Sequence, residues 1–232
     1  MQMHSAFKPL IAAAVGGWLA MSAATASAQM TPQTADMSVT GTIVPAACSA
    51  SFTGGGTVDF GTIRLIDLPN SALYPLGTKN VDLTVSCTSN KRVAFAVTDL
   101  QASNRITGTE MQTALGTSWD VTLLGLGAGT VGGTPVILGS YVVALGAPVV
   151  NTTRRINIYS PNGGTSWTGP SDWIAADGAR LHTAGSTATA PVTGTSFTFP
   201  LIIRAALNYG SRLQVAQDTR LNGQAVFAIS YQ

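Results

Sequence analysis

Apolar and polar residues alternate with a period of two along most of this chain, the pattern of strands half-buried in a sheet. Residues 37–44 put Met37, Val39, Gly41 and Ile43 on one face, and residues 81–87 put Val81, Leu83, Val85 and Cys87 there. Within residues 92–97, Val93, Phe95 and Val97 fall in step. Within residues 224–231, Ala225, Phe227, Ile229 and Tyr231 do the same. Residues 119–126, 135–145, 154–159 and 197–207 read as further strands. Gly, Pro and Asn punctuate them, with turn signals at Asp177-Gly178 and Asn222-Gly223. No 11-residue window carries a 3.6 period, and no internal repeat is present. Many short strands at this spacing predict an all-β fold, an antiparallel β-sandwich.

Residues 160–196 break the rhythm with Pro161, Gly163, Gly164, Trp167, Gly169, Pro170, Trp173, Gly178, Gly185 and Pro191. They read as a long surface excursion with a short turn of helix near residues 171–176. The segment is too polar and broken to join two cores, so one domain is expected over residues 41–232.

Composition supports strands over helices. Of 232 residues, 9% are charged and 45% hydrophobic; Glu occurs once, as Glu110, and Lys three times. Helix surfaces are normally covered by those two residues. The net charge of +2, without any Lys/Arg cluster, leaves no electrostatic footprint for nucleic acid. Residues 1–28 read as a secretory signal peptide: Lys8, a small apolar run, then Ala26-Ser27-Ala28 as a cleavage site. No transmembrane segment is expected after it. Cys48 and Cys87 are the only cysteines, and in an exported chain such a pair is expected to form a disulfide.

A search for chemistry yields little. Gly127-x-Gly129-x-x-Gly132 matches the dinucleotide fingerprint as text, but Gly133-Thr134-Pro135 and a strand follow where a helix is required, so a hairpin loop is expected. His182, the single histidine after residue 28, sits among Gly, Ala and Thr and reads as a solvated loop residue. The carboxylates form no recognisable pair or calcium loop. No catalytic residue, metal site or cofactor is expected, and the chain is read as a non-enzyme. Trp167 and Trp173 form a possible ligand platform, since aromatic faces stack on sugars.

Both ends of the chain following residue 28 resemble a bacterial fimbrial subunit of the chaperone–usher type. The resemblance rests on Gly41-Thr-Ile-Val-Pro-Ala-Ala-Cys48, on the partner Cys87, and on the ending Gly223-x-Ala225-x-Phe227-x-Ile229-x-Tyr231-Gln232. Residues 41–49, Gly56-Thr-Val-Asp-Phe-Gly61 and Pro200-Leu-Ile-Ile-Arg-Ala205 are most similar to a branch of fimbria-like proteins of unknown function.

The resemblance implies an immunoglobulin-like sandwich lacking its last strand. It implies a groove edge at Ala225, Phe227, Ile229 and Tyr231, capped first by a periplasmic chaperone at an outer-membrane usher. In the fibre, the N-terminal extension of another subunit replaces the chaperone by β-augmentation. The candidate donor is residues 29–40. They are largely polar and contain Pro32; only Ala35, Met37 and Val39 alternate usefully. On this reading the chain is a structural or accessory subunit of a surface fimbria that contributes to adhesion. The alternative is a free-standing exported carbohydrate-binding sandwich using Trp167 and Trp173.

Overall fold

A computed structural model describes residues 48–232. The expected signal segment, the strand expected over residues 37–44 and the donor candidates Ala35, Met37 and Val39 lie outside the described residues.

The strands are β1 (Cys48–Phe52), β2 (Tyr74–Lys91), β3 (Val93–Asp99), β4 (Leu123–Gly125), β5 (Ala128–Val131), β6 (Thr134–Ile137), β7 (Gly139–Leu145), β8 (Val149–Val150), β9 (Thr153–Arg154), β10 (Ile156–Ser160), β11 (Leu181–Thr187), β12 (Ala190–Pro191), β13 (Gly194–Leu207) and β14 (Ala225–Tyr231). They form an all-β antiparallel sandwich. The first sheet runs β1-β2-β13-β7-β4, with β8 beside β13 and β9 beside β8. The second runs β10-β11-β3-β14, with β12 beside β11.

The long strands β2 and β13 form the spine of the first sheet. Their register sets Phe197 opposite Val85, Phe199 opposite Leu83 and Leu201 opposite Val81, so apolar pairs share the inner face. Phe199 meets Phe95 of β3 edge-on at 5.1 Å between ring centroids, which joins the two sheets through one aromatic contact. Cys48 and Cys87 are directly opposed in the β1–β2 ladder and form the expected disulfide.

The glycine-rich stretch folds as the expected hairpin. Gly132 and Gly133 both adopt positive φ (57° and 83°) between β5 and β6, the conformation a two-residue hairpin turn of matching twist demands.

Three expectations are corrected. First, a helix does form, but at α1 (Thr109–Leu115), and none forms over residues 171–176. With seven residues α1 is too short to register in an 11-residue window. Met111 and Leu115, four apart, bury against Leu123, Val142 and Ala206 on the outer face of the first sheet. Second, residues 119–126 open on an exposed Trp119 and a single helical turn over Asp120–Thr122, and only Leu123–Gly125 pairs as a strand.

Third, the excursion is largely part of the sandwich. Residues 171–176 are an extended strap: Leu145 donates to Asp172 (2.7 Å), Ile174 to Val143 (3.1 Å) and Ala176 to Val121 (3.0 Å). Ile174, Ala175 and Ala176 are buried. Further along, β11 is a central strand, and His182 within it is fully buried. Its Gly, Ala and Thr neighbours, which resemble loop composition, are small because the packing is tight. A Cβ on Gly185 would stand 2.8 Å from Ile158.

His182 packs its ring against Phe95 and Tyr159, and neither ring nitrogen has a hydrogen-bond partner. Burial first, then the Arg180 charge, push its pKa down to about 4 from 6.5, while the Asp177 charge opposes them weakly. The unfolded chain therefore binds a proton that the folded chain refuses. Stability held above pH 6.5 is lost as the pH falls toward 4, by up to about 3 kcal/mol. Replacing His182 by Phe, which keeps the ring contacts, is expected to flatten that part of the pH profile in urea denaturation. A His182→Phe profile as steep as the parent's would assign the loss to another group.

Candidate functional site

The second sheet ends at β14, and its backbone geometry sets what that edge offers. Gln232 and Arg92 exchange two hydrogen bonds, each 3.0 Å, and Leu100 donates to the Gln224 carbonyl at 3.0 Å. With Phe227 opposite Val97, the members of β14 bonded to β3 are therefore the even-numbered residues. In an antiparallel pair the alternate residues turn their N–H and C=O groups the other way. Ala225, Phe227, Ile229 and Tyr231 thus direct their main-chain donors and acceptors away from β3. Among the described residues no strand receives them.

Two of these side chains, Ala225 and Phe227, line a cleft. Ala225, Phe227 and Ile229 are half-buried against the core; Tyr231, expected among them, is 44% exposed at the end of the strand. The cleft encloses about 1150 Å³ between the sheets. Val81, Leu201 and Ile203 from β2 and β13 line it, together with Tyr141 and Val143 from β7. Phe52 of β1 touches Phe227 edge-on at 5.1 Å, so β1 and β14 share one flank.

Residues 57–65 follow the opposite rim. Val58, Phe60, Ile63 and Leu65 are half-buried against the core. The main chain of residues 57–63 is irregular, with Gly61 at φ 75°, and bonds to no other described segment; within it Gly61 donates to the Asp59 carboxylate at 2.7 Å. Residues 215–221 line the cleft as well, so its apolar floor meets Gln217, Asp218, Thr219 and Arg220. An unpaired strand edge on one rim and a segment without main-chain partners on the other leave room for one more strand.

The other flank is closed. On β10, Tyr159 and Thr168 exchange two hydrogen bonds of 2.9 Å, and Ser171 donates to the Asn157 carbonyl at 3.0 Å. The strap at residues 171–176 then runs beside β7, continuing the edge that β4 begins. The excursion's role is thus structural edge cover, invisible in its loop-like composition.

The two tryptophans are not brought together. Trp173 lies in the cluster around α1, bridges Ala144, and carries the Arg204 guanidinium over its ring at 5.4 Å. Trp167 is half-buried next to the Thr168 pairing, and the two indoles make no ring contact. Among the described residues no three His, Cys, Asp or Glu side chains gather as a metal ion would need, and no helix is long and apolar enough to cross a membrane.

Comparison with known proteins places the sequence without assigning a role. Residues 37–142 match a family described as a protein of unknown function, DUF1120. The chain is 30% identical over 82 residues to the Uncharacterized protein YhcF of Escherichia coli (strain K12), a match spanning 34% of each chain. It is 26% identical over 247 aligned positions to Protein GltF of the same organism, covering 91% of this chain and 94% of that one.

Proposed function

We propose that the chain is a structural or accessory subunit of a surface fimbria that accepts one extended strand along β14. The observation that carries this reading is the coincidence on β14 of outward main-chain groups with the Ala225 and Phe227 side chains over the cleft. The signal-like residues 1–28 and the disulfide support export through the inner membrane to the periplasm and then the cell surface. A periplasmic chaperone at an outer-membrane usher would supply the strand first. The extension of another subunit, residues 29–40 with Ala35, Met37 and Val39, would supply it in the fibre. Each such contact is heterologous and propagates as a filament instead of closing.

The test is assembly itself. The exported chain is expected to form polymers, and deletion of residues 29–40 to leave monomers by size-exclusion chromatography. A synthetic peptide of residues 29–44 should bind the deleted chain in a slowly dissociating complex. Ala225→Arg, which puts a charge into the cleft wall, should abolish that binding. A chain that is monomeric with and without its extension would overturn the polymer reading.

A further inference from the structure

A second concavity, of about 470 Å³, lies on the outer side of the first sheet, where α1 packs. It shares no lining residue with the cleft beside β14. Its volume is near the small end of the range that holds small molecules, about 300–1,000 Å³. Leu73, Ile106, Met111, Val136 and Ile137 give it an apolar wall. Asn208, only 8% exposed, fixes one side. Its amide donates to the Ile137 carbonyl (3.0 Å) and accepts from the Tyr209 N–H (2.9 Å).

Two exposed charges, Glu110 of α1 and Arg212, line it as well. The Tyr209 hydroxyl donates to the Glu110 carboxylate, and the Arg212 guanidinium lies over the same ring, 5.7 Å from its centroid. One ring is thus in contact with both charges. The Arg212 N–H donates to the Tyr209 carbonyl at 2.9 Å, which holds the two residues in one turn. The Glu110 hydrogen bond chiefly raises the Tyr209 hydroxyl above its usual pKa and the Arg212 charge opposes it, so both charges act at one oxygen. Arg64–Asp67 is the one ion pair among the described residues, so neither Glu110 nor Arg212 is neutralised by an opposite charge in contact. Glu110 is also the single glutamate of the chain.

Such a pocket selects by charge balance. An anion would be drawn to Arg212 and repelled by Glu110, and a cation the reverse. A neutral apolar molecule would strip water from both charges and replace it with nothing. A molecule carrying both signs on an apolar body meets all three surfaces.

We propose that this pocket binds a small aliphatic zwitterion of the size of a branched α-amino acid. Its ammonium sits on Glu110, its carboxylate on Arg212 and its side chain against the apolar wall. The site is independent of the strand-acceptor reading.

The test is calorimetric titration of the intact chain with four probes. These are L-leucine, glycine, isocaproate, which is leucine without its amine, and isoamylamine, which is leucine without its carboxylate. Leucine is expected to bind about fivefold to tenfold more tightly than each of the others. Glu110→Gln keeps an acceptor for Tyr209 and removes the charge. It should lower leucine affinity to near that of isocaproate, with isocaproate itself bound no more weakly. Arg212→Gln should lower leucine affinity to near that of isoamylamine. Both side chains are exposed, and an unchanged melting temperature checks that the fold stands in each variant. No binding of leucine at millimolar concentration, or leucine affinity undiminished in both variants, would overturn the assignment. Glycine bound as tightly as leucine would overturn it as well, since the apolar wall would then be idle.

Discussion

Replacing Phe95 by alanine is expected to cost about 4 kcal/mol, much of the stability of an ordinary domain. The ring is fully buried. It meets Phe199 across the sandwich at 5.1 Å, Phe227 of β14 at 5.7 Å and His182 of β11 at 5.8 Å. Its removal leaves a void touching both sheets, which neighbours from three strands cannot fill without moving their backbones. Guanidinium denaturation of Phe95→Ala beside Phe95→Leu measures it. Leucine refills most of the volume and should recover more than half of the loss. A cost below about 1 kcal/mol for alanine would show that the sheets are joined elsewhere.

Opening the Cys48–Cys87 bridge is expected to have a comparable effect by a different route. The bridge closes a loop of sequence separation 39, and loop-closure entropy assigns it about 4 kcal/mol. It also pins β1, which among the described residues pairs only with β2 and whose Phe52 supports Phe227 at the cleft. Cys48→Ser should lower the melting temperature by roughly 10 °C, and reductant should do the same to the parent but not to the variant. A melting temperature indifferent to reduction would contradict the bridge's contribution.

The strands with clean alternation were legible from sequence because one face of each meets the core. Residues 81–87 and 224–231 show it, and the structure bears out the inward set Leu83 and Val85; residues 92–97 alternate less cleanly, and there Ala94 and Ala96 are buried along with Val93, Phe95 and Val97. The disulfide followed from the expected export and the cysteine count. What escaped sequence reasoning lies where small residues pack densely. Around His182, Ala184 and Gly185 carry too little side chain to signal a strand, yet that smallness lets β10 and β11 pack closely. Likewise the strap at residues 171–176 is held by main-chain bonds to β7, which no side-chain pattern announces. Of the candidate site, the face of β14 was readable. The floor residue Tyr141 was not, since its place there depends on β7 and β13 lying together beneath the cleft.

The guarded flank gives the sandwich a valence. With β10 covered by Thr168 and Ser171, a strand docking on β14 finds, among the described residues, no bare β10 edge at the other end of the same sheet. Sheets that grow without limit need two sticky edges per unit. A sheet with one, as the second sheet here, can add a single strand and must then carry any continuation on a separate tether. Growth is thereby a matter of links in a chain, each ending where its domain ends, and not of one sheet widening from molecule to molecule.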